Sequence, residues 1–248
     1  MNMSYGIQLY SVRDLAQGDL RSALEQVARI GYQSVEFAGF FGNPAKDVRE
    51  WLNGCGLAVS GTHTALDALA RDYKGVVKYH QDIGCSRLII PYAAPKTRDE
   101  CKALLETMAG YRDTLAREGI ALAYHNHAHE FKPIEGGLSL WDSLLTQTAI
   151  PLEADTYWVY AAGADPVAWM ETLHSEGRLP VIHIKDGLAD GRGTPLGQGT
   201  APVEAVYRTA LRLGVPMVVE SETLTPTGLE EARVCIRYLN TLDGTVSA

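Results

Sequence analysis

Histidines and carboxylates in this chain gather in short polar clusters, each directly behind an apolar run. The densest is HNHAHE, where His125, Asn126 and His127 are followed by His129 and Glu130. Asp155 ends IPLEAD, with Tyr157 and Trp158 just beyond. His183, Lys185 and Asp186 close VIHIKD, and Glu220 and Glu222 close VVESE. Gln8, Tyr10, Arg13, Glu36, His63 and Tyr92 follow earlier runs in the same way. Imidazole nitrogen is a borderline ligand and carboxylate oxygen a hard one, so a rim that collects both suits a divalent metal. No cysteine stands among them, which argues against a thiolate zinc site.

In an extended segment successive side chains alternate between faces. His125 and His127 therefore point one way and Asn126 the other. His183 shares a face with Lys185, and Glu220 with Glu222. Each residue also has a plainer reading. An acid at a strand end can cap the next helix; this applies to Glu36 and Glu222 more than to Asp155, which precedes the aromatic TYW and no helix-start pattern. His63 is either a hydrogen-bonded core histidine or a site residue. Lys185 either reaches solvent, pairs with Asp186 or Glu222, or holds substrate. Trp51, Trp141 and Trp169 fall in helical stretches and read as packing, whereas Tyr157 and Trp158 are placed to wall a pocket. His80 and His174 read as solvated helix residues.

The elements that must carry these residues repeat. A helical stretch, a glycine or proline, a short apolar run and then polar residues recur at Ala28 to Gly39, Asn53 to Thr64, Asp82 to Tyr92 and Arg117 to His127. Shorter versions run from Gly177 to Asp186 and from Arg212 to Glu222. Glycine just past a helix ends it, and a bounded apolar run suits a strand buried on both faces. Adding Tyr5 to Tyr10 and Ile150 to Asp155 gives eight strands, spaced by about 25 to 35 residues, the size of one βα unit. Between them Leu20, Leu24, Val27 and Ile30 mark one helix face, and Leu104, Met108, Tyr111 and Leu115 another. This alternation predicts an α/β fold, a single (β/α)8 TIM barrel over residues 1–248. An open doubly wound sheet is disfavoured, because no GxGxxG follows the first strand. In such barrels the site lies at the carboxyl ends of the strands, where the ionisable groups collect.

Composition narrows the function. The chain has 248 residues, 46% hydrophobic, enough for a large core. A net charge of -8 argues against nucleic-acid binding. No run is long enough to span a membrane, and Met1 to Tyr10 lacks signal-peptide features, which predicts a cytoplasmic protein. The scattered Cys55, Cys85, Cys101 and Cys235 read as reduced packing residues.

Together GIQLYSVRD, GYQSVEFAGFFG, YHNHAHEF, EADTYWVYAAGADP, HIKD, GQGT and VVESE resemble the xylose isomerase-like TIM-barrel superfamily, in particular its sugar phosphate isomerase/epimerase branch, over nearly the whole chain. The order YHNH with EF, then DxYW, then HxKD carries the resemblance. It implies a metal, most often manganese, sometimes cobalt, magnesium or zinc, held by residues at the ends of strands five to eight. Asp155, His183 and Glu220 match three ligand positions. Where many members have a glutamate this chain has His125. Either His125 is the fourth ligand, which its register favours, or Glu130 reaches back to the metal.

The resemblance implies a sugar or cyclitol substrate whose ketone and neighbouring hydroxyl the metal bridges, stabilising an enediolate. Glu220 is the first choice for the base, with Glu130, His127 and His63 as second proton-handling groups. His63, Lys185, Trp158, Gln8 and Glu36 are the expected substrate contacts, with Arg13 a further anchor. An isomerase or epimerase is expected first; a lyase or dehydratase on an inosose or 3-keto-glycoside is the alternative. An abasic-DNA endonuclease is disfavoured by the charge and by too few ligands for three metals. No glycine-rich phosphate loop supports a phosphorylated substrate. Gly191 to Thr200 is either a lid or a plain surface loop. Ala38 to Pro44 suits either a contact in a homo-oligomer or closure of the pocket.

Overall fold

The computed structural model describes residues 5–244; residues 1–4 and 245–248 lie outside it. Eight parallel strands close a barrel: β1 (Tyr5–Gln8), β2 (Ser34–Phe37), β3 (Ala58–His63), β4 (Arg87–Ile90), β5 (Ala121–His125), β6 (Leu152–Asp155), β7 (Val181–Ile184) and β8 (Met217–Val219). Each pairs with its neighbours in sequence, and β8 closes on β1 with Tyr5 opposite Met217. The outer layer comprises α1 (Leu20–Ile30), α2 (Ala45–Cys55), α3 (Leu66–Ile83), α4 (Arg98–Arg117), α5 (Leu140–Gln147), α6 (Thr156–Ala161), α7 (Pro166–Ser175), α8 (Val203–Leu213) and α9 (Gly228–Leu242). Local sequence sets their limits. Ser139 and Asp142 form a reciprocal cap at the start of α5. Helices α1, α2, α3 and α8 each end on a left-handed glycine, as the repeat predicts.

Strand alternation sorts the side chains. Ile7, Phe37, Leu88, Ile90, Leu122, Tyr124, Leu152, Ala154, Ile182, Ile184 and Val219 enter the hydrophobic core that the strands share with the helices. Their neighbours Gln8, Glu36, His63, His125, Glu153, Asp155, His183 and Glu220 therefore turn into the barrel. Gly61 makes room for this polar interior: a Cβ there would lie 2.5 Å from Ile89 Cδ1 and 3.0 Å from Glu36 Oε2.

Several expectations change. The first strand stops at Gln8, not Tyr10, because the Gln8 side chain accepts from the Tyr10 N–H and starts a 3-10 turn at Leu9–Val12. In α4 the buried face runs through Cys101, Leu105, Met108 and Leu115, with the expected Leu104 and Tyr111 packed partly buried against the same core. His80 is buried, not solvated: its ring lies between Thr62 and the Val76 carbonyl. His174 is exposed, as expected. Phe40 packs on Phe37 and Tyr79, while Phe41 stays exposed. No helix among the described residues is long and apolar enough to cross a membrane.

Candidate active site

Four carboxyl-end residues of adjacent strands converge: His125 of β5, Asp155 of β6, His183 of β7 and Glu220 just after β8. Their ligand atoms all lie within 4.8 Å of one another, and all four are buried. His125 Nε2 faces Asp155 Oδ2 at 4.0 Å, and His183 Nδ1 faces Glu220 Oε2 at 3.4 Å. Asp155 Oδ2 and His183 Nδ1 are buried without a hydrogen bond. Burying such atoms without a partner is costly, and a cation bound between them removes that cost. Two imidazole nitrogens and two carboxylate oxygens fit a borderline divalent ion.

The opposite nitrogens of both rings are held from one layer lower in the barrel. His125 Nδ1 lies 3.2 Å from Glu153 Oε2, and His183 Nε2 lies 2.7 Å from Glu36 Oε1. His63 Nε2 meets both carboxylates, at 3.1 Å for Glu36 and 2.9 Å for Glu153. Gln8 Nε2 donates to Glu36 Oε1 at 2.7 Å. A carboxylate on the far nitrogen of a ligand histidine fixes its tautomer and orientation. Glu36, Gln8 and His63, expected as substrate contacts, are thus placed in the layer beneath His125 and His183. Glu36 and Gln8 are wholly buried; Glu36 Oε1 is taken by Gln8 and His183, while Glu36 Oε2 has no hydrogen-bond partner. A second ligand-type group, His63, His125, Glu153 and His183, is this same hydrogen-bonded layer.

Burial and neighbouring charge set the protonation. Burial alone raises the Glu220 carboxyl, but the Lys185 ammonium and His183 outweigh it and hold it well below the usual range. Burial pushes Asp155 up to about 6 although Lys185 pulls the other way. Burial, reinforced by Glu36, pushes Glu153 up to about 7. Burial and the adjacent His183 and His63 lower His125, which keeps it neutral and able to ligate. Lys185 is buried and sits 2.6 Å from Glu222, 3.1 Å from Glu220 and 3.9 Å from Asp155. Its ammonium also lies 4.9 Å from the Trp158 ring centroid.

Above the ligands the wall is aromatic. The His127 ring stands 4.9 Å from His125 and 5.8 Å from both Trp158 and Tyr92. Its Nδ1 makes no hydrogen bond, with Glu130 Oε1 3.9 Å away. Glu130 is placed apart from the four ligands. Its Oε1 accepts from Tyr124 at 2.8 Å and its Oε2 from the His127 N–H at 2.8 Å, so it holds the loop after β5. Arg13 is turned to the Tyr10 and Glu222 carbonyls. Asp155 caps α6, against the reading from TYW: its Oδ1 accepts from the Trp158 N–H at 3.0 Å, leaving Oδ2 for the site. Neither Glu36 nor Glu222 caps a helix; the first lies under the ligands and the second pairs with Lys185. Asn126 bridges to Asp155, accepting from its N–H at 3.0 Å.

The glycine-rich loop after β7 is tied down. Asp186 accepts from the N–H groups of Gly187, Gly197, Gly199 and Ala201 at 2.7 to 3.2 Å. A short antiparallel ribbon, Asp186–Gly187 against Gly193–Thr194, completes it. The residue that sequence reasoning missed is Glu153. The signal was present, since Glu153 stands two positions before Asp155 and so shares its face.

A closed eight-stranded barrel with ligand-type residues at its carboxyl rim defines a class, and the comparisons agree with it. The chain belongs to the xylose isomerase-like TIM barrel family, whose model matches residues 24–240. Among solved structures it is similar to a sugar phosphate isomerase/epimerase from Parabacteroides distasonis, at 25% identity and TM-score 0.84, over 96% of this chain and 98% of that one. It is also similar to an IOLI protein with a zinc atom, at 14% identity and TM-score 0.77, over 99% and 100% of the two chains. A third is a probable 3-DHS dehydratase, AsbF from Bacillus anthracis, at 11% identity and TM-score 0.77, over 96% and 99%. No curated protein sequence matches.

Proposed function

We propose that this protein is a metal-dependent isomerase or epimerase that moves a proton beside the ketone of a sugar or keto-sugar. The observation behind this reading is the set of His125, Asp155, His183 and Glu220, with two of its four ligand atoms buried and unpartnered. A divalent metal, manganese first with zinc, cobalt and magnesium behind it, would supply Lewis acidity to a carbonyl. Glu220 is the base, standing at the carboxyl end of β8 beside His183 and Lys185. His127, half-exposed on the side of the mouth, handles the second proton. Glu130 positions His127 through its backbone. Lys185 and Trp158 orient the substrate hydroxyls and ring. The four unpaired cysteines fit a reducing, cytoplasmic compartment.

The test is incubation of metal-loaded protein in heavy water with free ketoses, inososes and 3-keto-glucosides. Deuterium should enter the carbon beside the ketone. Chelation should abolish exchange, and Glu220→Gln should slow it by about 100-fold or more. Absence of exchange in every compound, with metal bound, overturns the reading. One observation favours elimination as a second reading: His127 stands beside the His125 ring with an unpartnered Nδ1, a group able to give a leaving group its proton. A product that has lost water or a glycosidic substituent assigns that outcome.

A further inference from the structure

A cavity of about 390 Å³ opens between the loops after β5, β6 and β7. Trp158, Phe131, Ala161 and Ala162 form its apolar lining, and Lys132 and Asp190 stand at its polar edge. Trp158 belongs to the wall of the active site as well. Its ring lies 4.9 Å from the Lys185 ammonium and 5.8 Å from the His127 ring, and its backbone N–H is held by Asp155. The cavity and the active site thus share this indole as a common side. The indole Nε1 is buried and has no hydrogen-bond partner.

We infer that this cavity is a second subsite, for an uncharged ring joined through a glycosidic oxygen to the sugar that reacts on the floor. The inference rests on the sugar reading above and narrows its substrate class to glycosides. Three properties carry it. Aromatic faces beside small side chains suit the apolar face of a ring, and a polar edge suits its hydroxyls. Lys132 and Asp190 carry opposite charges, so the edge selects for neither an anion nor a cation. The volume lies near the lower end of small-molecule sites, about 300 to 1,000 Å³, which is room for one ring.

The experiment is equilibrium binding to the metal-loaded chain by calorimetry. The probes are methyl and 4-nitrophenyl β-D-glucosides and galactosides, with cellobiose and lactose. A two-ring compound should bind about tenfold more tightly than its methyl partner, the factor one aromatic contact supplies. The 4-nitrophenyl and disaccharide arms separate an aryl ring from a second sugar. Ala161→Phe, and Ala189→Trp at the exposed rim of the same cavity, should erase that advantage and leave deuterium exchange into free ketoses unchanged. Equal affinities across each pair, or an advantage that survives both filled variants, overturns the subsite. If ketoses never exchange yet the ring preference persists and the variants erase it, the enolisation reading falls and the subsite stands.

Discussion

His125 and Glu153 are joined from ring Nδ1 to carboxylate Oε2 at 3.2 Å, and this contact commits the other ring nitrogen to Asp155. A side chain two residues before a ligand thereby decides how its neighbour on the adjacent strand can bind a metal. His183 is governed the same way by Glu36.

Glu153→Gln tests that control. It keeps volume and an acceptor, so the barrel should form, but the ionisable carboxyl group facing His125 Nδ1 becomes a neutral amide. Manganese affinity should fall about 10- to 100-fold. Calorimetry and chelator competition measure it, with the melting point in chelator as the control for folding. An unchanged affinity shows that Glu153 does not orient His125.

Metal should stabilise the fold, since its ligands come from four strands. At about 100 times Kd the gain is roughly 2.7 kcal/mol, read as a rise in denaturant midpoint that chelator reverses. Asp155→Asn keeps the cap on α6 while weakening the ligand, and should lose most of this gain. A full metal response in that variant removes Asp155 from the ligand set.

Gly199→Ala should damage the loop after β7. A Cβ at this position would sit 2.2 Å from Asp186 Oδ1 and 2.6 Å from the Gly187 backbone. Overpacking of this kind costs about 1–3 kcal/mol. Urea titration should show the loss with an unchanged slope. A neutral result means that the Asp186 cradle yields without strain.

The buried His80 should give the fold an acid-side weakness. Burial lowers its pKa below the ordinary 6.5, although the Val76 carbonyl pulls the other way. The unfolded chain therefore takes up this proton at a higher pH than the native one does. Stability from neutral His80 is complete above about pH 6.5 and drains as pH falls toward the native pKa. His80→Gln should flatten denaturant midpoints between pH 7.5 and 5 relative to the parent. Parallel curves for the two proteins contradict this.

The barrel was legible because its signals are local and repeated: a glycine at the end of each of several helices, a short buried strand, then an acid or histidine. His125, Asp155, His183 and Glu220 were legible for the same reason, standing at strand ends. What escaped depends on neighbours that a single segment does not show. Glu153 hides behind Asp155 until alternation is applied to the whole strand. His80 reads as a surface residue until α3 is packed against Phe40 and Thr62. Gln8 and Glu36 look like substrate contacts until the closed barrel stacks them against His183 and His63.

The pairing of β1 with β8 also sets a timetable. On the ribosome, β1 emerges first and keeps an open edge until the last strand of the ring is made. Glu220 leaves the exit tunnel with that same strand, so the four-residue cluster is complete only when the ring shuts. If the four residues hold a metal as proposed, its loading is a late step of maturation, and a nascent chain lacking β8 cannot be rescued by metal supplied early.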